Sequence, residues 1–184
     1  MQINPDSGLI EGVVYLPSPH RGERSADIDL LVIHNISLPP GQFGEQYIHA
    51  LFEGTLDTSA HPYFKRLAGL QVSSHLLIQR TGVITQFVPF HEVAWHAGVS
   101  SFEGREACNQ YSIGIELEGT DDEPFEAIQY DVLSKVTQEL VKIYPKINKH
   151  RIVGHSDVAP GRKTDPGPYF DWGYYHCILD GLSA

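Results

Sequence analysis

Between His155 and Pro168 the chain reads His155-Ser156-Asp157-Val158-Ala159-Pro160-Gly161-Arg162-Lys163-Thr164-Asp165-Pro166-Gly167-Pro168. Imidazole, carboxylate, guanidinium and ammonium groups crowd into this stretch, and five of its fourteen positions are proline or glycine. Pro160, Pro166 and Pro168 each remove a backbone donor, so the stretch reads as a loop rather than a helix or central strand. A stiff loop holds side chains in place at low entropic cost. His155 and Asp165 are candidate metal ligands, a neutral imidazole and a hard carboxylate. Lys163 precedes Asp165 by two residues, which puts both side chains on the same side of an extended segment. A cation beside a bound metal suits the stabilisation of a developing oxyanion. The plainer reading is a surface loop with a solvated Arg162–Lys163 pair.

The chain has ten histidines, and a lone histidine is more often a hydrogen-bonded structural residue than a ligand. His34 stands apart because it ends the apolar run Asp29-Leu30-Leu31-Val32-Ile33-His34. Such a run reads as a strand covered on both faces, and functional groups collect at strand ends in sheets with helical layers. His155 follows a second short strand, Arg151-Ile152-Val153-Gly154. His34, His155 and Asp165 together make a three-ligand set, which leaves a fourth position for water in the manner of catalytic zinc. Cys108 and Cys177 lack the spacing of a structural zinc site. The period-two stretch Ser112-Ile113-Gly114-Ile115-Glu116-Leu117-Glu118-Gly119 puts Gly114, Glu116 and Glu118 on one strand face, with room beside Glu116 where the glycine falls. A metal hydrolase needs one such carboxylate to move a proton. Spacing does not choose between Glu116 and Glu118.

The elements that must position these groups suggest an α/β (α+β) fold, a central mixed β-sheet flanked by helices. Residues 42–53 carry Phe43, Tyr47, Ile48, Leu51 and Phe52 at helical spacing. Residues 55–69 read as loop. Residues 74–80 and 83–88 flank Thr81-Gly82 and predict a hairpin. Residues 89–104, which carry Trp95-His96-Ala97-Gly98, read as irregular. Asp121-Asp122-Glu123-Pro124 is a helix-start signal, and the apolar face from Phe125 to Tyr144 predicts the longest helix, stopped by Pro145. With no repeat or linker-like stretch, the 184 residues are expected to form one domain. The net charge of -10 argues against nucleic acid or an anionic membrane as partner. The first residues lack a secretory signal, no apolar run is long enough to span a bilayer, and the two cysteines are expected to be free thiols of a cytosolic protein.

Five stretches then occur in order: His34-Asn35-Ile36-Ser37, Ala94-Trp95-His96-Ala97-Gly98, Ser112 to Gly119, Gly154-His155, and Arg162-Lys163-Thr164-Asp165-Pro166-Gly167. Together they resemble the zinc-dependent N-acetylmuramoyl-L-alanine amidases of the peptidoglycan-recognition superfamily, most of all the cytosolic branch that acts on anhydro-muropeptides in cell-wall recycling. The resemblance runs from about residue 13 to residue 172. It implies zinc held by His34, His155 and Asp165, with Glu116 rather than Glu118 as general base and acid. It also implies that Lys163 stabilises the tetrahedral intermediate, and that a muropeptide amide is the substrate. Asn35 and Trp95 become candidate substrate contacts, with a turn-fixing asparagine and a core tryptophan as the alternatives. His75 and His96 are read as supporting or structural. The chain departs from relatives at Gln71, near which some carry arginine, and at Gly161, where they often carry glutamate. Two competing readings are a broader amidase acting on intact peptidoglycan and a non-catalytic peptidoglycan-binding module. The completeness of the site residues weighs against the module.

Overall fold

The computed structural model describes residues 1–181. Six strands form the main sheet: β1 (Val14–Tyr15), β2 (Leu30–Ile36), β3 (Leu76–Ile78), β4 (Ile84–Gln86), β5 (Ser112–Glu118) and β6 (Ile152–Gly154). Their spatial order is β6-β2-β5-β3-β4-β1. Only the β3–β4 pair is antiparallel. The sheet is therefore mixed, and the expected hairpin is its antiparallel member, closed by Gln79 N–H to Val83 O at 2.9 Å. Four helices accompany it: α1 (Tyr47–Phe52), α2 (Ala127–Ile143), α3 (His155–Val158) and α4 (Trp172–Gly181).

Strand alternation sorts the core into two layers. Leu31 and Ile33 of β2, Ile113, Ile115 and Leu117 of β5, and Leu76 and Ile78 of β3 pack with Leu133, Val136 and Leu140 of α2 and Tyr175 of α4. On the opposite face Leu77 meets Ile48, Leu51 and Phe52 of α1, while Leu30 and Val32 pack against Ala97, Cys108 and Tyr111. All seven residues of β5 are buried, as for a strand covered on both faces. Gln129 locks α2 to the carboxyl ends of β3 and β5, since its Nε2 donates to Ile78 O and Glu118 O at 3.1 and 3.0 Å.

Several boundaries differ from the sequence reading. Helix α1 begins at Tyr47 rather than residue 42 because Gly44 adopts φ +80° and breaks the first turn. Helix α2 begins at Ala127, past the acidic run, because Glu126 and Gln129 form the capping pair. The His155–Pro168 stretch is not loop throughout: its first four residues form α3. Within residues 55–69, Pro62–Leu67 is a 3₁₀ helix with Phe64 fully buried. Within residues 89–104, Val93–Ala94 pairs with Arg21–Gly22. The sequence reading has no counterpart of α4.

One polar knot ties the front of the sheet together. His75 is fully buried, accepts the Gly114 N–H at Nδ1 (3.0 Å), and places Nε2 3.1 Å from Glu92 O. Burial, reinforced by the Arg24 guanidinium, pushes its pKa from 6.5 down to about 3. The unfolded chain therefore takes up this proton before the folded one does, and stability falls as pH drops from 6.5 toward 3. In urea titrations between pH 6 and pH 4, the His75→Asn variant should show a slope of stability against pH shallower by about 1.4 kcal/mol per unit, one proton's worth. An unchanged slope would place the acid sensitivity elsewhere.

Candidate metal centre and catalytic cleft

The parallel pairing of β2 and β5 sets Glu116 directly beside His34. Both point to the face opposite α2, at the carboxyl ends of parallel strands, where open α/β sheets place their ligands. β6 pairs with β2 on its other side, and His155 follows as the first residue of α3. Asp165 is returned to the same spot by its carbonyl, which accepts the Ser156 N–H at 3.0 Å. The resulting cluster is tight: His34 Nδ1 lies 2.9 Å from His155 Nδ1, and each lies 3.0 Å from Asp165 Oδ2. Among the described residues this is the group of ligand atoms placed to hold a metal ion.

The donor set fits such an ion. His155 Nε2 lies 3.2 Å from the Ala97 carbonyl, which can only accept, so that nitrogen carries the proton. In the neutral ring that a metal ligand requires, Nδ1 then keeps the lone pair, directed at the cluster. Burial lowers the pKa of His34 to about 4, so its imidazole is neutral at pH 7. Two imidazole nitrogens and one carboxylate are the ligand types of catalytic zinc sites.

Glu116 and Glu118 share a strand face yet meet different partners. Glu118 accepts the Gly44 N–H at Oε1 (2.6 Å) and the Arg80 N–H at Oε2 (3.1 Å). It is spent on holding two loops. Glu116 is 9% exposed, its Oε1 lies 4.0 Å from His34 Nδ1, and its Oε2 has no partner among the described residues. Burial, with Asp165 adding, raises its pKa well above the ordinary carboxylate value, and Lys163 opposes them. Lys163 is exposed, and its ammonium has no hydrogen bond or ion pair among the described residues.

His155, Asp165, Glu116 and Lys163 border a cleft of about 250 Å³ that also meets Asn35, Trp95 and an apolar wall of Leu38, Leu51, Tyr63 and Leu67. Trp95 is half-buried, its ring 5.9 Å from that of His20 in a stacked arrangement. Asn35 Nδ2 is committed to Asp121 Oδ1 (2.7 Å) and Pro166 O (3.0 Å), so the side chain clamps the Asp165 loop to the end of β2. Gly167 completes that docking. Its φ is +81°, and a Cβ there would lie 2.6 Å from Asp121 Cα. The space at Gly114 is used by His96, whose ring would sit 2.4 Å from an added Cβ, and not left beside Glu116 as the sequence reading had it. Arg162 is no solvated partner of Lys163, since its Nη2 donates to Ala97 O and Val99 O, both at 2.6 Å. Sequence reasoning also passed over Ser112 and Asn109, which hold the His96 segment. Short polar residues of this kind give no signal apart from their partners.

A mixed sheet with a His-His-Asp cluster and an unpartnered carboxylate at its strand ends defines a hydrolytic enzyme. The chain belongs to the N-acetylmuramoyl-L-alanine amidase family (Amidase_2), whose match spans residues 24–168. The 1,6-anhydro-N-acetylmuramyl-L-alanine amidase AmpD of Enterobacter cloacae is 53% identical over 176 residues, covering 95% of this chain and 94% of that protein. The crystal structure of a selenomethionine AmpD derivative matches with a TM-score of 0.94 at 51% identity, covering 97% of this chain and 99% of that one. A complex of the amidase AmiD from Escherichia coli with anhydro-N-acetylmuramic acid-L-Ala-D-γ-Glu-L-Lys matches with a TM-score of 0.60 at 32% identity, covering 85% of this chain and 60% of that one.

The contrast between the two glutamates is open to measurement. Glu118→Ala strands two backbone N–H groups and should lower unfolding free energy by about 2–6 kcal/mol, at roughly 1–3 kcal/mol per orphaned group. Glu116→Ala removes a carboxylate with one unpartnered oxygen and should leave stability near that of the parent. Denaturant titration of both variants decides it; equal losses would refute the division of roles.

Proposed function

We propose that this chain acts as a single-domain, zinc-dependent amidase of the cytosol. Its reaction is hydrolysis of the amide between the lactyl group of 1,6-anhydro-N-acetylmuramic acid and L-alanine in muropeptides recovered from cell-wall turnover. One observation supports the reading: His155, Asp165, a carboxylate with an unpartnered oxygen and an unpaired ammonium border one cleft, with His34 buried directly behind the two ligand atoms. The substrate named for the AmpD relative, and the one bound in the AmiD complex, have the chemistry such a cleft would cleave.

His34, His155 and Asp165 would hold the zinc. When bound, the ion supplies Lewis acidity and a water with pKa lowered to about 7. Glu116 accepts the proton of the attacking water at its unpartnered Oε2 and delivers it to the departing amino group of alanine. Its buried setting makes the carboxyl a ready proton carrier, and Lys163 keeps its anionic form accessible. The Lys163 ammonium meets the oxygen on which charge develops, which is the stage at which a fixed cation contributes most. Trp95 offers a ring face to the sugar. Asn35 has its amide hydrogens committed, which leaves Oδ1 as the atom to accept an N–H of the peptide. Of the described residues, no helix is long and apolar enough to cross a membrane.

Mass spectrometry of products from a purified anhydro-muropeptide and from intact sacculi, each with and without a chelator, tests the proposal. Release of free peptide from the anhydro compound alone, abolished by chelation, is the expected result. Cleavage of sacculi as well would widen the substrate class, and binding without cleavage of either would turn the chain into a recognition module. Glu116→Ala should keep its zinc and lose at least about a hundredfold in turnover, the lower range for acid–base catalysis. Asp165→Ala should instead lose metal content itself, as read by elemental analysis; full occupancy would contradict its place as a ligand.

A further inference from the structure

Trp95-His96-Ala97-Gly98 contributes a cleft wall, yet its central residues are neither metal ligands nor the proton carrier. Their hydrogen bonds have a direction that can be read from one end. Ser112 Oγ lies 2.7 Å from the Cys108 carbonyl, which can only accept, so the hydroxyl donates there. The hydroxyl oxygen is then the acceptor for His96 Nε2 at 3.1 Å, so His96 carries its proton on Nε2. His96 Nδ1, left with a lone pair, accepts from His34 Nε2 at 2.9 Å. His34 therefore also carries its proton on Nε2, and its Nδ1 lone pair faces His155 and Asp165.

The next residue does the same for the second imidazole through its main chain. Ala97 O accepts the His155 Nε2–H, and Arg162 braces that carbonyl. The backbone of the pair is pinned in turn. Asn109 Oδ1 accepts the N–H groups of His96 (3.2 Å) and Ala97 (2.8 Å), and Ser73 Oγ accepts that of Trp95 (3.0 Å). Gly114 clears the space in which the His96 ring stands.

We propose that this segment sets the tautomers of both histidine ligands, with His96 as the positioning residue for His34 through the relay His34 to His96 to Ser112 to the Cys108 carbonyl. The inference rests on the metal-centre reading given under the proposed function. It predicts that the acceptor at the His96 Nδ1 position matters, beyond the volume of the ring. A ligand histidine that loses such a partner typically costs 10- to 100-fold in metal affinity.

The test compares two side chains of nearly equal size in the full-length protein. In His96→Asn the Oδ1 stands where Nδ1 stood and can still accept from His34; in His96→Leu no acceptor remains. Chelator competition should give His96→Leu a zinc affinity weaker by about 10- to 100-fold, with His96→Asn recovering most of the loss. Wild-type affinity in His96→Leu, or equal losses in the two variants, would overturn the proposal. Long-range ¹H–¹⁵N correlation spectra supply a readout that packing alone does not move. In the wild-type protein His96 should be the Nε2–H tautomer, with or without zinc, and an Nδ1–H form would overturn the relay. If His96→Leu does not fold, Ser112→Ala serves in its place: Nδ1–H should appear at His96, and an unchanged tautomer would overturn the proposal. A wild-type protein that binds no zinc would count against the metal reading, while the tautomer of His96 would still judge the relay.

Discussion

The site depends first on the parallel register of β2 with β5, which places His34 and Glu116 side by side on one sheet face. A slip of one residue in either strand would turn one of the two side chains into the α2 layer. The register is held by burial on both faces: Leu31 and Ile33 in one layer, Leu30 and Val32 in the other, all fully buried. β6 then extends the same parallel arrangement by one strand and delivers His155 at its end. The core therefore acts on chemistry through register, since any shift that exposed the apolar layers would also scatter the ligands.

The electrostatics of the cleft follow from what burial forbids. A charged imidazole at the position of His34 would be desolvated without full compensation, so the group stays neutral and offers a lone pair. The two carboxylates nearby, Asp165 and Glu116, are separated in role by their contacts. Asp165 faces both imidazoles, and its loop is fixed by Ser156, Asn35 and the close approach of Gly167 to Asp121. Glu116 has no such anchor on Oε2 and is raised above the ordinary carboxylate range. Lys163 supplies the compensating positive charge from the exposed rim, where its own desolvation is small. Under the proposed function, Glu116 as proton carrier needs this kind of incomplete satisfaction, whereas Asp165 as a ligand would need the opposite.

The sequence revealed the parts of this arrangement that rest on local pattern. The buried strands, the hairpin, the long helix α2 and the loop rich in proline and glycine are all visible as periodicity or as turn chemistry. The convergence of His34, His155 and Asp165 was legible because imidazole and carboxylate groups at strand ends are unusual. What stayed hidden depends on partners far along the chain. Glu116 and Glu118 are equivalent in spacing, and only the N–H groups of Gly44 and Arg80 show that the second is occupied. Gly114 looked like space for a neighbour on its own strand, but the occupant is His96 from another segment. Helix α4 went unseen although it buries Tyr175 and Leu179, because its aromatic and glycine content gives a weak helical signal until α2 is there to receive it.

The use of one segment for both histidines has a physical consequence. His96 acts through its side chain and Ala97 through its carbonyl, and both N–H groups end on the same Asn109 oxygen. The orientations of His34 and His155 are therefore not independent, because a displacement of this backbone disturbs both imidazoles at once. A site assembled from three separate strands and loops gains a common reference in this way, and the spacing of its ligand atoms becomes a property of a single short stretch of chain. The same coupling explains why a half-exposed tryptophan stands next to two buried, polar-linked residues. Trp95 lines the cleft while its own N–H and carbonyl are tied to Ser73, so contact at the cleft does not loosen the residues behind it.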